Sequence, residues 1–403
     1  MKKKTRVLLS FIVVLVMVLS LSSCATYEAF YHTFIDKSEE TYETVKIGVF
    51  EPLTGPDKEY GQLEKMGIEL AHEIMPTCLA KPVELIYADH ESDIYVAEAK
   101  IQELISKEPT IILGSYGNVY SMIAGDYVEE AKIPTIAITN TNPLVTANNS
   151  YYFRVSPVDS YQGIALAKFT FEHLGATQAA IIRPASDDVA TALSSAYEDK
   201  FIQMTGDPSA IARTFEYSRG TTDFESTLLA IRNLGIKAVF VPAGEDDAAA
   251  ILKQAKELGV NAIFIGTDVW ATESFVEKAG DAIGLAVFSA DYDADTSINE
   301  TSEAFVKAFK AKYGEDAVPS PATALAYDAY MIAIESINRI GTVRDPEFLV
   351  KSLSVTSQHP GASGNITLGG DGDPMKTILV ERIVNGEPVT IYVMEPTIVY
   401  LGI

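Results

Sequence analysis

The 403-residue chain carries 55 acidic against 31 basic residues, a net charge of −24, and 47% of it is hydrophobic. So acidic a surface argues against nucleic acid and against lying on anionic lipid, while the apolar content argues for a globular fold over disorder. Length beyond a single core predicts two domains, and two cysteines predict stability from core burial rather than disulfide staples.

At the N-terminus, Lys2, Lys3, Lys4 and Arg6 precede the apolar run VLLSFIVVLVMVLSL over 7–21, which ends in SSC. A basic segment, a short apolar segment and small residues make a secretory signal peptide, 1–23. The run is shorter than the roughly 20 residues that span a bilayer. LSSC (21–24) resembles the lipobox of bacterial lipoproteins, which implies that Cys24 is lipidated and holds the chain on the outer side of the bacterial cell membrane. The stretch 24–45 then reads as a tether, without sustained periodicity and acidic towards its end.

From 46 the pattern alternates. VKIGVFEPL, VELIYA, TIILGS and IPTIAIT are short and rich in Ile and Val, and segments with apolar residues at helical spacing separate them. That is the pattern of βαβ units around a parallel sheet covered on both faces. SPVDSYQG (156–163) separates this series from a second, with helices expected over 161–174, 188–204, 223–234 and 246–258. Two successive doubly wound α/β sheets account for both. Thr222 with Glu225 has the spacing of a capping box. Further helices are expected at 300–313, 322–341 and 345–354, and a hairpin turns at Asn385-Gly386.

Catalytic signatures are missing: no phosphate-binding loop, no GxSxG elbow and no GxGxxG after a strand. His72-Glu73 begins a zinc motif that Pro76 breaks, and DYDADTSINE (291–300) lacks the Gly and Glu that a calcium loop needs. No enzyme activity, metal or cofactor is expected. A binding logic remains, because ligands of parallel α/β sheets sit beyond the carboxyl ends of the strands, against helix N-termini. GSYGN (114–118) and TNTNP (139–143) offer amides and hydroxyls that suit a carboxylate. RPASDD, PAGEDD and GTDVW instead gather Asp187, Asp188, Glu245, Asp246, Asp247 and Asp268. One wall of donors facing one of carboxylates fits a zwitterion. Asp159 has a structural reading too, as a helix N-cap completed by Gln162.

These fragments, in the order VKIGVFEPLTGPDKEYGQLEKMGIELA, IILGSYGNVYSM, IPTIAITNTNPLVT, YYFRVSPVDSYQG, GTDVW and ALAYDAY, resemble the type I periplasmic-binding proteins of the branched-chain amino-acid (Leu/Ile/Val) family, the receptors of ABC importers. The resemblance covers nearly all of 46–390. It implies that Tyr60 borders the ligand, that Asn118 helps bind its carboxylate, and that Thr139 and Thr141 hold the same carboxylate and the ammonium. Asp159 would receive the α-ammonium, and Asp268 stands at the family's acidic position in the second lobe. The family's aromatic contacts fall at Asp188 and near Gly244-Glu245, so the side-chain pocket is expected to be more acidic, suited to a polar or basic amino acid or another amine, with Asp188 and Glu245 lining it.

The resemblance also implies two lobes joined by three crossings, near 156–160, 286–291 and 361–366. Lobe 1 would comprise 46–158 and 289–363, and lobe 2 would comprise 159–288 and 364–403. A monomer working with a permease and an ATPase is expected. The alternative is a lipid-anchored sensor of the same fold.

Overall fold

The computed structural model describes residues 42–396; the leader, Cys24 and nearly all of the expected tether lie outside them. From Val45 onward the chain forms one unit. Its first sheet has the order β2-β3-β1-β4-β5-β6, with β1 Val45–Glu51, β2 Thr77–Cys78, β3 Lys81–Asp89, β4 Ile111–Gly114, β5 Thr135–Ala137 and β6 Tyr152–Arg154. Apart from the edge strand β2, all pairs are parallel. Phe50 pairs with Ala88 and Gly114, so the carboxyl ends of β1, β3 and β4 lie along one edge. Helices α1 (Lys58–Ile74), α2 (Ile94–Ile105) and α3 (Asn118–Ala131) connect these strands. The strand interiors are apolar on both faces because helices cover both.

The second sheet has the order β16-β15-β11-β10-β9-β7-β8. Its parallel strands are β7 Ala179–Pro184, β8 Ile211–Tyr217, β9 Ala238–Phe240, β10 Ile263–Gly266 and β11 Ala286–Ala290. The C-terminal hairpin, β15 (Ile378–Val384) and β16 (Glu387–Met394), adds antiparallel to β11 and turns at Asn385-Gly386 as expected. Helices α4 (Asp159–Glu172), α5 (Asp188–Thr205), α6 (Glu225–Leu234), α7 (Glu245–Glu257) and α8 (Glu273–Ala279) cover it. Two buried clusters, one centred on Leu228, Leu252 and Phe264 and the other on Phe169, Tyr197 and Phe240, pack its two faces.

Between β11 and β15 the chain returns to the first sheet through α9 (Glu300–Tyr313), α10 (Pro321–Ile340) and α11 (Pro346–Ser354). Helix α10 lies on α1 so closely that a side chain at Gly67 would strike the Thr323 carbonyl. A small antiparallel sheet follows, β12 (His359–Gly361), β13 (Gly364–Leu368) and β14 (Pro374–Lys376). The chain therefore enters the second sheet only at Ile378, beyond the 361–366 expected for the third crossing, because 359–376 first folds into a sheet of its own.

Two expected capping boxes are not formed. Helix α4 begins with Asp159 inside its first turn, preceded by Val158, and no side chain caps it. Phe224 precedes α6, with the Asp223 carboxylate accepting from the Glu225 N–H instead of Thr222. Among the described residues no helix is long and apolar enough to cross a membrane.

Candidate functional site

The carboxyl ends of β4 and β5 carry the loops 114–118 and 138–142. The first loop passes directly over the end of β1. Gly114 has φ +111°, and a side chain there would collide with the Phe50 carbonyl and the Glu51 carboxyl. It then opens α3, whose first N–H groups have no partner within the helix and point outward. Asn118 stands at that helix start, its Oδ1 accepting from the Asn142 N–H (3.3 Å), which ties the two loops together. Tyr60, 48% exposed, stacks on Tyr116 at 4.5 Å and nearly parallel. A two-ring wall thus borders the loops on the side of α1.

Beneath this rim lies a buried polar floor that the sequence reading missed. Glu51 and Glu64 are fully buried and in hydrogen-bonding contact with each other. The Tyr116 N–H donates to Glu51 Oε2 (2.9 Å), and the Thr139 hydroxyl donates to Glu64 Oε1 (2.5 Å). Burial, and then the neighbouring Glu64, push Glu51 well above the usual carboxylate range. Burial raises Glu64 to about 7, against the pull of its hydrogen bonds. Ser121, Ser115, Asn140 and His90 continue the floor: His90 Nε2 meets Ser115 Oγ at 2.7 Å, and Ser121 donates to Asn140 Oδ1 at 3.2 Å. Burial lowers His90 to about 4, so its ring is neutral at physiological pH.

Asp159 faces this rim from the start of α4. Its carboxylate accepts from the Thr141 side chain, and burial followed by the charge of Asp268 raises it to about 6. Asp268 follows β10, held by Gln162 and its own turn, and burial raises it as well. Gln162 is buried and accepts from the Ser289 hydroxyl (2.8 Å) rather than capping α4. Asp291, after β11, is a third carboxylate within this field. Burial first and Asp268 second raise it to about 7, and its Oδ1 is sealed from solvent with no hydrogen-bond partner. The buried Lys376 ammonium donates to the carbonyls of Asp291 (2.9 Å) and Ser363 (2.5 Å). Arg154 is also buried, but Asp373 (2.8 Å) and the carbonyls of Asn140 and Asn142 hold it as a brace under the 138–142 loop.

The structure therefore brings Thr139, Thr141, Asp159 and Asp268 together, with Tyr60 and Asn118 along the rim. The remaining acidic candidates divide. Both oxygens of Glu245 are taken, by Thr272 (2.6 Å), Ser274 (2.7 Å) and Lys278 (3.0 Å), which hold it down to about 2. This carboxylate fastens α7 to α8. Asp187 caps α5 through the Ala190 N–H, Asp246 pairs with Lys278, and Asp247 accepts from the Tyr217 hydroxyl. Asp188 is exposed at the start of α5, and Gly244 is exposed with open space where a side chain would stand. Glu51, Glu64 and Asp291 left one signal in the sequence, a carboxylate at the end of an apolar strand or on the apolar face of a helix.

Two α/β lobes, with donors at the strand ends of one and carboxylates at those of the other, define a bilobed doubly wound fold. A family model described as periplasmic binding protein matches residues 44–387. The leucine-, isoleucine-, valine-, threonine- and alanine-binding protein of Pseudomonas aeruginosa is 25% identical over 343 residues, covering 82% of this chain and 87% of that protein. The leucine-binding protein LivK of Thermotoga maritima shares 30% identity and superposes with a TM-score of 0.67 over 87% of this chain and 99% of its own. An ABC transporter substrate-binding protein of Sphaerobacter thermophilus gives 0.72 at 25% identity over 88% and 98%. The chain belongs to the type I periplasmic-binding proteins, in the family of branched-chain amino-acid ABC transporters.

Proposed function

We propose that the protein is the extracytoplasmic solute-binding subunit of an ABC importer. It binds an α-amino acid between lobe 1 (46–158 and roughly 291–376) and lobe 2 (159–290 and from 378). The observation that carries this reading is Asp159. Its carboxylate leaves its own helix uncapped, accepts from Thr141 of the opposite rim and lies beside Asp268. An ammonium group would relieve the mutual repulsion of these two carboxylates, and the N-terminus of α3 with the 138–142 loop would take the α-carboxylate. Binding needs no bond to be made or broken. Closure of the lobes over the solute would shift an open–closed equilibrium that a permease reads. Lipidation at Cys24 and the tether 24–45 would hold the receptor at the membrane surface; the family's work outside the cytoplasm supports that placement.

The side-chain end of the site supports a polar or basic amino acid less strongly than the sequence suggested, because Glu245 is held by Thr272, Ser274 and Lys278 and Asp246 pairs with Lys278, which leaves Asp188. A thermal-shift scan against the twenty amino acids tests the function. A ligand at about 100 times its Kd adds roughly 2.7 kcal/mol and moves Tm by several degrees. Loss of that shift in Asp159→Asn is the expected result, and hits confined to compounds without an α-ammonium would overturn the reading. Asp188→Ala should lower the preference for L-arginine over L-leucine; an unchanged ratio would remove Asp188 from the pocket.

A further inference from the structure

We propose that Glu51 and Glu64 form a proton-linked positioning pair, which holds both carboxylate-binding loops through one shared proton and takes up further proton when a ligand carboxylate docks. The inference rests on the proposed amino-acid site and adds a chemical condition to it. Four facts of geometry carry it. Both carboxyls are fully buried. Each holds a different loop, Glu51 through the Tyr116 N–H and Glu64 through the Thr139 hydroxyl. Their remaining oxygens, Glu51 Oε1 and Glu64 Oε2, are sealed from solvent with no other donor. Neither carboxyl has a salt-bridge partner among the described residues.

Two carboxyls so placed cannot both ionise, so they keep one proton between them and one negative charge. Tyr116 already donates to Glu51 Oε2, which leaves Oε1 as the oxygen that carries the proton towards Glu64. The other groups facing the pair do not neutralise its charge. His90 reaches it only through Ser115 and is neutral. Asp89 is turned to the N–H groups of Leu53 and Thr54. The Tyr152 hydroxyl lies 3.4 Å from the Gly114 carbonyl, and the Arg154 guanidinium is committed to Asp373 and to backbone carbonyls. A ligand carboxylate arriving on the two loops therefore meets an uncompensated negative charge beneath them. Its docking favours the more protonated pair, and by linkage the affinity falls as pH rises. Asp159, Asp268 and Asp291 titrate too, but they answer to the ammonium end of the ligand and shed protons where the pair gains them.

The test is isothermal titration of the full protein with L-leucine, L-threonine, L-glutamine and L-arginine, in phosphate and in Tris, from pH 6 to 9. The comparison is with the double variant Glu51→Gln/Glu64→Gln, which has no carboxyl left in the pair to titrate, because Glu51→Gln alone leaves an ionised Glu64 beneath the loops. The wild type should take up more proton on binding than the variant does, and lose up to about tenfold more affinity per pH unit above ~7. In the double variant that component of proton uptake should be gone and the pH profile flatter, whatever its affinity at pH 6. The proton count attributable to the ammonium end is common to both proteins and drops out of the difference. Equal proton counts and parallel pH profiles in the two proteins would overturn the inference, as would weaker binding by the double variant with the proton count unchanged, which marks a merely structural brace. If none of the four amino acids gives heat in either protein, the proposed function itself falls and the coupling with it; that failure is separate, because it appears before any proton is counted.

Discussion

Asp159 illustrates how the carboxylate proposed to bind the ligand costs the fold stability. Burial and the nearby Asp268 raise it to about 6, above its value in the unfolded chain. The neutral form is therefore the one the fold prefers. The stability this group contributes is present below the ordinary carboxylate range and is lost as pH climbs through about 6. Asp159→Asn, which has no charge to desolvate, is expected to match wild type near pH 4 and to exceed it by roughly 1–2 kcal/mol at pH 8, after allowance for screening at a partly exposed site. Urea unfolding at the two pH values measures this. A variant less stable than wild type at pH 8 would mean that the Thr141 contact outweighs desolvation. The same substitution should abolish amino-acid binding, so stability and function move in opposite directions at one residue.

Among the elements, the short strand β14 carries the side chain that joins the crossings. Lys376 is fully buried and donates to carbonyls on either side, Asp291 at the end of the second crossing and Ser363 before the third. Burial lowers its pKa, with Asp291 and Asp328 opposing. Lys376→Met should therefore orphan two carbonyls and leave the Asp291 carboxyl without its cation, a loss of about 2–4 kcal/mol. Adding Asp291→Asn should recover part of that loss, because the uncompensated charge is then gone; strict additivity in the double-mutant cycle would show that the two do not interact. None of this was legible in GGDGDPMKTILV, where Lys376 reads as an exposed strand residue. The parallel strands, the helices between them and the final hairpin were legible, because apolar periodicity and Asn-Gly turns are local signals. The rims were legible as composition, and Thr139, Thr141 and Asp268 through resemblance. What stayed hidden was the use of each carboxylate. Glu245 and Asp188 look alike in sequence, yet one is bound by two hydroxyls and Lys278 from a helix about 30 residues on, and the other faces solvent. Glu51 and Glu64 were hidden for the same reason, since only the approach of α1 to the end of β1 brings them together.

At the scale of the whole molecule, the question is whether ligand energy closes the two lobes. The chain has one tryptophan, and its position makes it a reporter. Trp270 lies two residues after Asp268, fully buried, its indole N–H donating to the Ala243 carbonyl (2.8 Å) and its ring 4.9 Å from Phe275. A side chain at Gly266 would overlap the ring, so Trp270 is clamped between the loops that follow β9 and β10. Docking of an ammonium on Asp268 alters the field at the indole and should change its emission even if no lobe moves. Closure adds a second signature, a smaller radius of gyration in solution scattering. Both signals should saturate at the same amino-acid concentration, and both should vanish in Asp159→Asn. An emission change without compaction would mean that the ligand binds both states equally well, and a ligand that does so shifts no equilibrium however tightly it is held. Transport would then need the permease itself to drive closure. Compaction in step with emission would instead assign the switch to the receptor, with Asp159 contacting both rims at its pivot.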